Sequence, residues 1–252
     1  MNIAIITGAS SGLGTEFVHA AAKRYRTLDE IWVIARRAER LQKLAEEMPE
    51  AHIRPLILDL TDRKDLAELQ GLLEQEKPVV QMLINNAGCY SGGLFDETES
   101  DALQRMIDLN ITALTAVSKI CCSYMKEKSY EVMTASISSF SPGPAFAVYN
   151  ATKAYVAYLG RALRMERKKK GINVLTLCPG RMDTELFLGE TINADRLPAL
   201  NVSRVARKTL RNAEAGRAVY TPGWFYKGYR LVCKIMPRQL LMKISGGFVN
   251  EV

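Results

Sequence analysis

Histidine is nearly absent from this chain of 252 residues: His19 and His52 are the only two. Each stands alone, which excludes a histidine-built metal centre and a Ser/His/Asp hydrolase. The five cysteines, Cys89, Cys121, Cys122, Cys178 and Cys233, are odd in number and show no metal spacing. They are read as reduced thiols. Cys89 could be a reactive thiol, but a small packed residue is the better reading. No apolar run is read as long enough to span a bilayer. Met1 leads straight into a strand-like run with no signal-peptide pattern, so a cytoplasmic location is expected. Repeats, low-complexity tracts and linkers are missing too. The net charge is +7. Its one tight basic run, Arg167 to Lys170, falls at an expected helix end, where cations suit the helix dipole. It is read as a solvated helix end, and no nucleic-acid partner is expected.

What the chain does have is alternation. Short apolar runs at 3–7, 31–35, 53–58, 81–84, 131–136 and 173–178 read as strands. Between them, stretches such as 40–48, 101–126 and 151–168 place apolar residues at helical spacing. The pattern implies βαβ units and an α/β fold: one Rossmann-like, doubly wound parallel sheet with helices on both faces, over a single domain spanning 1–252.

The first strand runs into "TGASSGLG", Thr7 to Gly14. Gly8, Gly12 and Gly14 permit a tight turn and close approach of a pyrophosphate to the start of the following helix. Ser10 and Ser11 add hydroxyl donors. Where an NAD-binding fold normally shows an acid after the second strand, this chain reads Ala35-Arg36-Arg37. Two guanidiniums in place of a carboxylate suit a 2′-phosphate, so NADP(H) is expected over NAD(H), with Arg36 as the principal partner.

Tyr149 and Lys153 stand four residues apart, one turn on a common helical face. Bringing a tyrosine from about 10 to near 7 requires about 4 kcal/mol. A cation at ~4 Å supplies about that much at an effective dielectric of about 20. Lys153 is therefore expected to lower the Tyr149 pKa toward neutrality.

With these residues in view, the chain resembles the short-chain dehydrogenase/reductase family over nearly its whole length. "TGASSGLG" is similar to its cofactor turn, Asn85-Asn86-Ala87-Gly88 to its NNAG motif, Tyr149 and Lys153 to its Y-x-x-x-K, and Pro179-Gly180 to its turn after the sixth strand. The resemblance implies a catalytic set of Asn110, Ser136, Tyr149 and Lys153, with Ser138 the alternative to Ser136. Ser136 is expected to close the fifth strand. Implied cofactor contacts are Gly8, Ser10, Ser11, Gly12, Leu13, Gly14, Arg36, Arg37, Asp59, Leu60, Asn86, Ala87, Gly88, Tyr149, Lys153, Pro179, Gly180, Met182 and Thr184. Asp59 would meet the adenine ring and Thr184 the nicotinamide carboxamide. Asn110 would hold a water linking Lys153 to solvent. The implied activity is hydride transfer between a nicotinamide and a carbonyl or secondary alcohol. A non-catalytic NADP(H) sensor on the same fold is the alternative.

The segment 181–202 is expected to form a substrate lid. Its Leu186, Phe187, Leu188, Ile192, Leu197 and Leu200 point to a hydrophobic ketone or alcohol, steroid-like or acyl-chain in kind, with Arg181 and Arg196 as available cations. Residues 224–244 read as a basic amphipathic segment. One face carries Phe225, Tyr229, Val232 and Met236; another carries Lys227, Arg230 and Lys234, and Pro237 stops the helix. Packing on the pocket or on a second subunit of a homo-oligomer is favoured over peripheral membrane contact.

Overall fold

The computed structural model describes residues 1–187, 197–237 and 239–242. Seven strands form one parallel sheet in the order β3-β2-β1-β4-β5-β6-β7: β1 (Asn2–Thr7), β2 (Glu30–Ala35), β3 (Ile53–Ile57), β4 (Val79–Asn85), β5 (Tyr130–Thr134), β6 (Asn173–Leu177) and β7 (Val219–Tyr220). The strands are mostly apolar because both faces are covered. Ile3 and Ile5 point to one core, with Trp32, Ile34, Leu69 and Val117. Ala4 and Ile6 point to the other, with Phe17, Leu41, Val205 and Leu210. On the second face lie α1 (Gly12–Arg24), α2 (Ala38–Glu47) and α7 (Val202–Glu214). On the first lie α3 (Arg63–Glu76), α4 (Ser100–Ile107), α5 (Leu114–Cys121) and α6 (Ala147–Arg167). The alternation of strand and helix was thus sufficient to read the fold. The two-residue β7 is too short to carry a pattern.

Two sequence readings are corrected here. The helical stretch Ser100–Tyr124 is long and apolar enough, at mean hydropathy 1.2, to pass as a membrane span by length and composition. Its Met106, Ala113, Leu114, Val117 and Cys121 are buried within this fold. Arg167 is not a solvated helix end either. It is buried and ion-paired with the fully buried Glu131 of β5. Ser118 Oγ donates to Glu131 Oε2 at 3.1 Å, and Arg167 Nη2 donates to Ser118 Oγ at 3.0 Å. Asn85 Nδ2 bonds both Glu131 Oε1 and the Leu114 carbonyl. Each buried charge therefore has partners, as burial requires.

The chain order reverses between β1 and β4, the switch point where doubly wound folds bind ligands outside the carboxyl ends of the strands. Gly160 lets α6 approach the sheet closely. A Cβ there would lie 2.5 Å from Thr176 Oγ1 and 3.3 Å from Met133 Sδ. That approach carries the start of α6 to the sheet's carboxyl edge.

Candidate active site

The turn between β1 and α1 is built so that no side chain fills it. Gly8 has φ +68°, and a Cβ on it would meet Ala87 Cα at 2.9 Å. A Cβ on Gly14 would collide with the Gly8 carbonyl. The turn is held by Gly8 N–H donating to Ile34 O at 2.9 Å. Ser11 caps α1 through its backbone alone, with no side-chain hydrogen bond. The helix start thus presents N–H groups and its positive end to the crevice.

Across the switch point, Thr7 Oγ1 accepts from the backbone N–H groups of Asn86 and Ala87, both at 2.9 Å. Asn86 Nδ2 donates to Thr7 O, and Thr134 Oγ1 donates to Asn86 Oδ1. The Asn86–Gly88 turn is therefore clamped between β1 and β5. A Cβ on Gly88 would meet Asn110 Oδ1 at 3.0 Å and Lys153 Nζ at 3.3 Å, so only glycine leaves both groups in place.

Asn110 sits in a π-helical turn, Asp108–Ala113, between α4 and α5. Such bulges expose or redirect a side chain at the cost of regular hydrogen bonding. The Asn110 amide is committed to protein: it accepts from Cys89 N and donates to Cys89 O, both at 2.9 Å, and to Thr152 Oγ1 at 3.1 Å. Its side chain ties the Asn86–Gly88 turn to α6. Cys89 is half-buried, and burial pushes its thiol up, which suits packing and not reactivity.

Ser136 lies two residues beyond β5, which ends at Thr134, so it does not close the strand. It begins a short 3₁₀ turn, Ile137–Ser139, where its Oγ accepts from Ser138 N at 3.1 Å. Ser136 also hydrogen-bonds Tyr149, a contact that favours the phenolate. Ser139 Oγ turns away to Ser136 O, 2.6 Å. Ser136 is thus the serine that touches the Tyr149 hydroxyl.

Tyr149 and Lys153 occupy one face of α6, with Lys153 Nζ 5.7 Å from the Tyr149 ring centroid. Lys153 is only 5 % exposed, and its Nζ donates to Thr134 O at 3.1 Å. The expectation that Lys153 draws Tyr149 toward neutrality is corrected. Burial raises the Tyr149 hydroxyl to about 12, with the Ser136 bond opposing it. Burial also lowers Lys153 to about 8. Desolvation of both groups outweighs their mutual effect, because the ammonium faces the ring and the Thr134 carbonyl.

The two arginines after β2 separate. Arg36 is exposed and reaches Asp59 Oδ2 at 3.5 Å. Asp59 Oδ1 also accepts from Thr61 N and Oγ1, and these bonds hold its carboxyl below the usual range. Leu60 is buried beside it. Arg37 instead lies on the glycine turn, with Nε and Nη2 donating to Ser10 Oγ at 3.1 and 3.0 Å. Glu185 bridges Arg37 Nη1 at 2.8 Å and Arg40 Nη1 at 2.6 Å. The sequence reading missed Arg40 and Glu185, since nothing local ties residues 145 positions apart. It also missed Tyr90, stacked on Phe146 at 5.8 Å and edge-on to Tyr149 at 5.0 Å.

After β6, Pro179 O accepts from Ile137 N at 2.9 Å and Thr184 lies against Gly12. Met182 packs on the core beneath α1. Leu188, Ile192 and Arg196 of the expected lid lie outside the described residues, as do Lys243 and Ile244 of the C-terminal segment. In α8 (Trp224–Ile235) the covered side differs from the expected stripe. Tyr226 is fully buried under Gly180, accepting from Arg181 N at 3.1 Å and donating to Pro198 O at 2.7 Å. Phe225 and Val232 are exposed, and Arg230 is partly covered, its guanidinium 5.8 Å over the Phe140 ring.

Known proteins resemble this chain in sequence and fold. Residues 2–195 match the family model described as short chain dehydrogenase. The 11-beta-hydroxysteroid dehydrogenase A of Sesamum indicum is 28 % identical, aligned over 92 % of this chain and 72 % of that protein. A short-chain dehydrogenase from Sphingobium yanoikuyae in complex with NADPH superposes with a TM-score of 0.79 at 26 % identity, covering 94 % of this chain and 97 % of that one. The bulky-bulky ketone specific alcohol dehydrogenase from Comamonas testosteroni gives a TM-score of 0.76 at 27 % identity, covering 96 % and 94 %. A glycine cradle and a buried Ser136–Tyr149–Lys153 cluster, on a sheet that superposes along most of its length with these enzymes, place the chain in the short-chain dehydrogenase family.

Proposed function

We propose that this oxidoreductase uses NADP(H) to interconvert a hydrophobic ketone and its secondary alcohol. The observation that carries the reading is the buried hydrogen bond between Ser136 and Tyr149, one helical turn from Lys153 and across the switch point from the glycine cradle. The turn fits a dinucleotide, since glycine at 8 and 14 lets β1, the Asn86–Gly88 turn and the start of α1 pack closely while the first N–H groups of α1 face the crevice. The backbone of residues 8–14 would hold the pyrophosphate, Asn86–Gly88 the adjoining ribose, and Thr184 the carboxamide end. A bound nicotinamide supplies or accepts the hydride.

Tyr149 holds its proton at neutral pH, because its hydroxyl titrates near 12. A neutral phenol can give that proton to an oxygen that gains charge as hydride arrives, which favours the reductive direction. Ser136 orients the same oxygen and stabilises its charge. Lys153 offers its remaining N–H groups toward the ribose, and Asn110 is a positioning residue that fixes the Gly88 turn against α6.

NADP(H) over NAD(H) rests on Arg36 and Arg37 after β2, with Arg40 beside them; Arg37 and Arg40 pair with the Glu185 carboxylate, a planar recognition that also suits a phosphate. The apolar substrate rests on the Tyr90–Phe146 pair beside Tyr149. The Sphingobium structure carries NADPH and the Comamonas enzyme is specific for bulky ketones, which supports both halves. The test is oxidation of NADPH and of NADH against a panel of bulky and small ketones. Turnover of bulky ketones with NADPH preferred is the expected result. A protein that binds NADPH but turns over no carbonyl would instead be the sensor.

A further inference from the structure

α8 has one side packed on the protein and one side exposed among the described residues. Tyr226 is locked beneath Gly180, and Arg230 covers Phe140. On the opposite side Trp224 is 86 % exposed, Ile235 77 % and Leu231 58 %. The spacing from Trp224 to Leu231 to Ile235 is helical, so these side chains share one stripe. Lys227 and Lys234 are exposed beside that stripe.

We propose that this face docks on the surface of an anionic lipid bilayer. Three observations choose that occupant. First, the sequence holds no Asp or Glu from Ala215 to Asn250, while Arg217, Lys227, Arg230, Lys234, Arg238 and Lys243 all fall within it. A surface of one sign complements anionic headgroups. Second, the exposed stripe mixes an indole and aliphatic side chains with long lysines, whose ammonium groups can rise to the headgroups while their stems lie along the acyl boundary. Third, a second copy would bring the same lysines face to face about a twofold axis, and lysine is depleted from protein interfaces.

The full chain is mixed with phosphatidylcholine vesicles, with and without phosphatidylglycerol, and sedimented at low and high salt. Trp224 serves as the probe, since the only other tryptophan, Trp32, is fully buried. Binding to anionic vesicles, lost at high salt and accompanied by a blue shift of tryptophan emission, is expected. Leu231→Glu with Ile235→Glu should abolish it. Lys227→Gln with Lys234→Gln should weaken it roughly thirtyfold, at about a factor of five for each charge near the surface. Unchanged far-UV circular dichroism shows that the variants fold. A wild-type protein that stays in solution with anionic vesicles at low salt overturns the proposal, as does equal binding by the Leu231/Ile235 variant. So does a wild-type dimer that this variant dissociates while neither protein binds lipid, since the face would then belong to a second copy.

Discussion

Replacing Lys153 by methionine should make the protein more stable at neutral pH while removing its activity. Burial lowers the ammonium from the usual 10.5 to about 8, so the folded state binds that proton less tightly than the unfolded chain does. A lysine shifted downward costs stability when charged in both states, that is, below the folded pKa. The cost disappears as pH rises from about 8 to 10.5, where the unfolded chain still holds the proton and the folded one does not. The difference of roughly 2.5 corresponds to about 3 kcal/mol at ~1.36 kcal/mol per pKa unit. Methionine fits the same unbranched volume but gives up the bond to Thr134 O, which offsets about 1 kcal/mol. A net gain of about 2 kcal/mol is therefore expected at pH 7, and a loss of about 1 kcal/mol above pH 10.5. Buried thiols such as Cys121 and Cys178, raised by burial, lose stability with rising pH in both proteins. Subtracting the two urea denaturation series, taken from pH 7 to pH 10, isolates Lys153. A variant less stable than the parent at pH 7, by the same amount as at pH 10, would refute the claim that this charge is held at a cost.

Ser136→Ala removes a hydrogen bond that opposes the upward shift of Tyr149, so the Tyr149 hydroxyl should titrate still higher. Turnover should fall about 10²–10³-fold with NADPH affinity unchanged, measured by kcat against cofactor titration; a change confined to KM would argue against it. Glu185→Gln should tighten NADPH several-fold and leave NADH unaffected, read by cofactor fluorescence, because it frees Arg37 and Arg40 for a phosphate. Equal effects on both cofactors would show that Glu185 acts only on the loop after β6.

Much of the site was legible because its parts are local. The glycines of the first turn, the Asn86–Gly88 motif and the Tyr149/Lys153 pair each lie within one turn or one helical repeat, so spacing alone fixes their geometry. What was not legible depends on tertiary placement. Periodicity in α8 groups residues by face, but the position of Gly180 decides that Tyr226 is buried and Phe225 is not. Arg37 and Arg36 are equivalent in sequence; only the fold sets one on Ser10 and the other near Asp59. The effect of Lys153 on Tyr149 was overestimated, because a through-space estimate omits the desolvation that both groups suffer. Arg167 was read as solvated because its partner Glu131 lies on a strand far away in sequence.

The central claim is that Tyr149 carries the proton for a carbonyl reduction in this site. Its most direct measurement is single-turnover oxidation of bound NADPH by a bulky ketone, compared between the parent and Tyr149→Phe. Phenylalanine keeps the ring against Tyr90 and removes only the hydroxyl. The rate should fall at least about 10²–10⁴-fold while NADPH affinity stays within a factor of about two. Turnover of the variant at a rate comparable to the parent, on any ketone the parent reduces, would contradict the assignment.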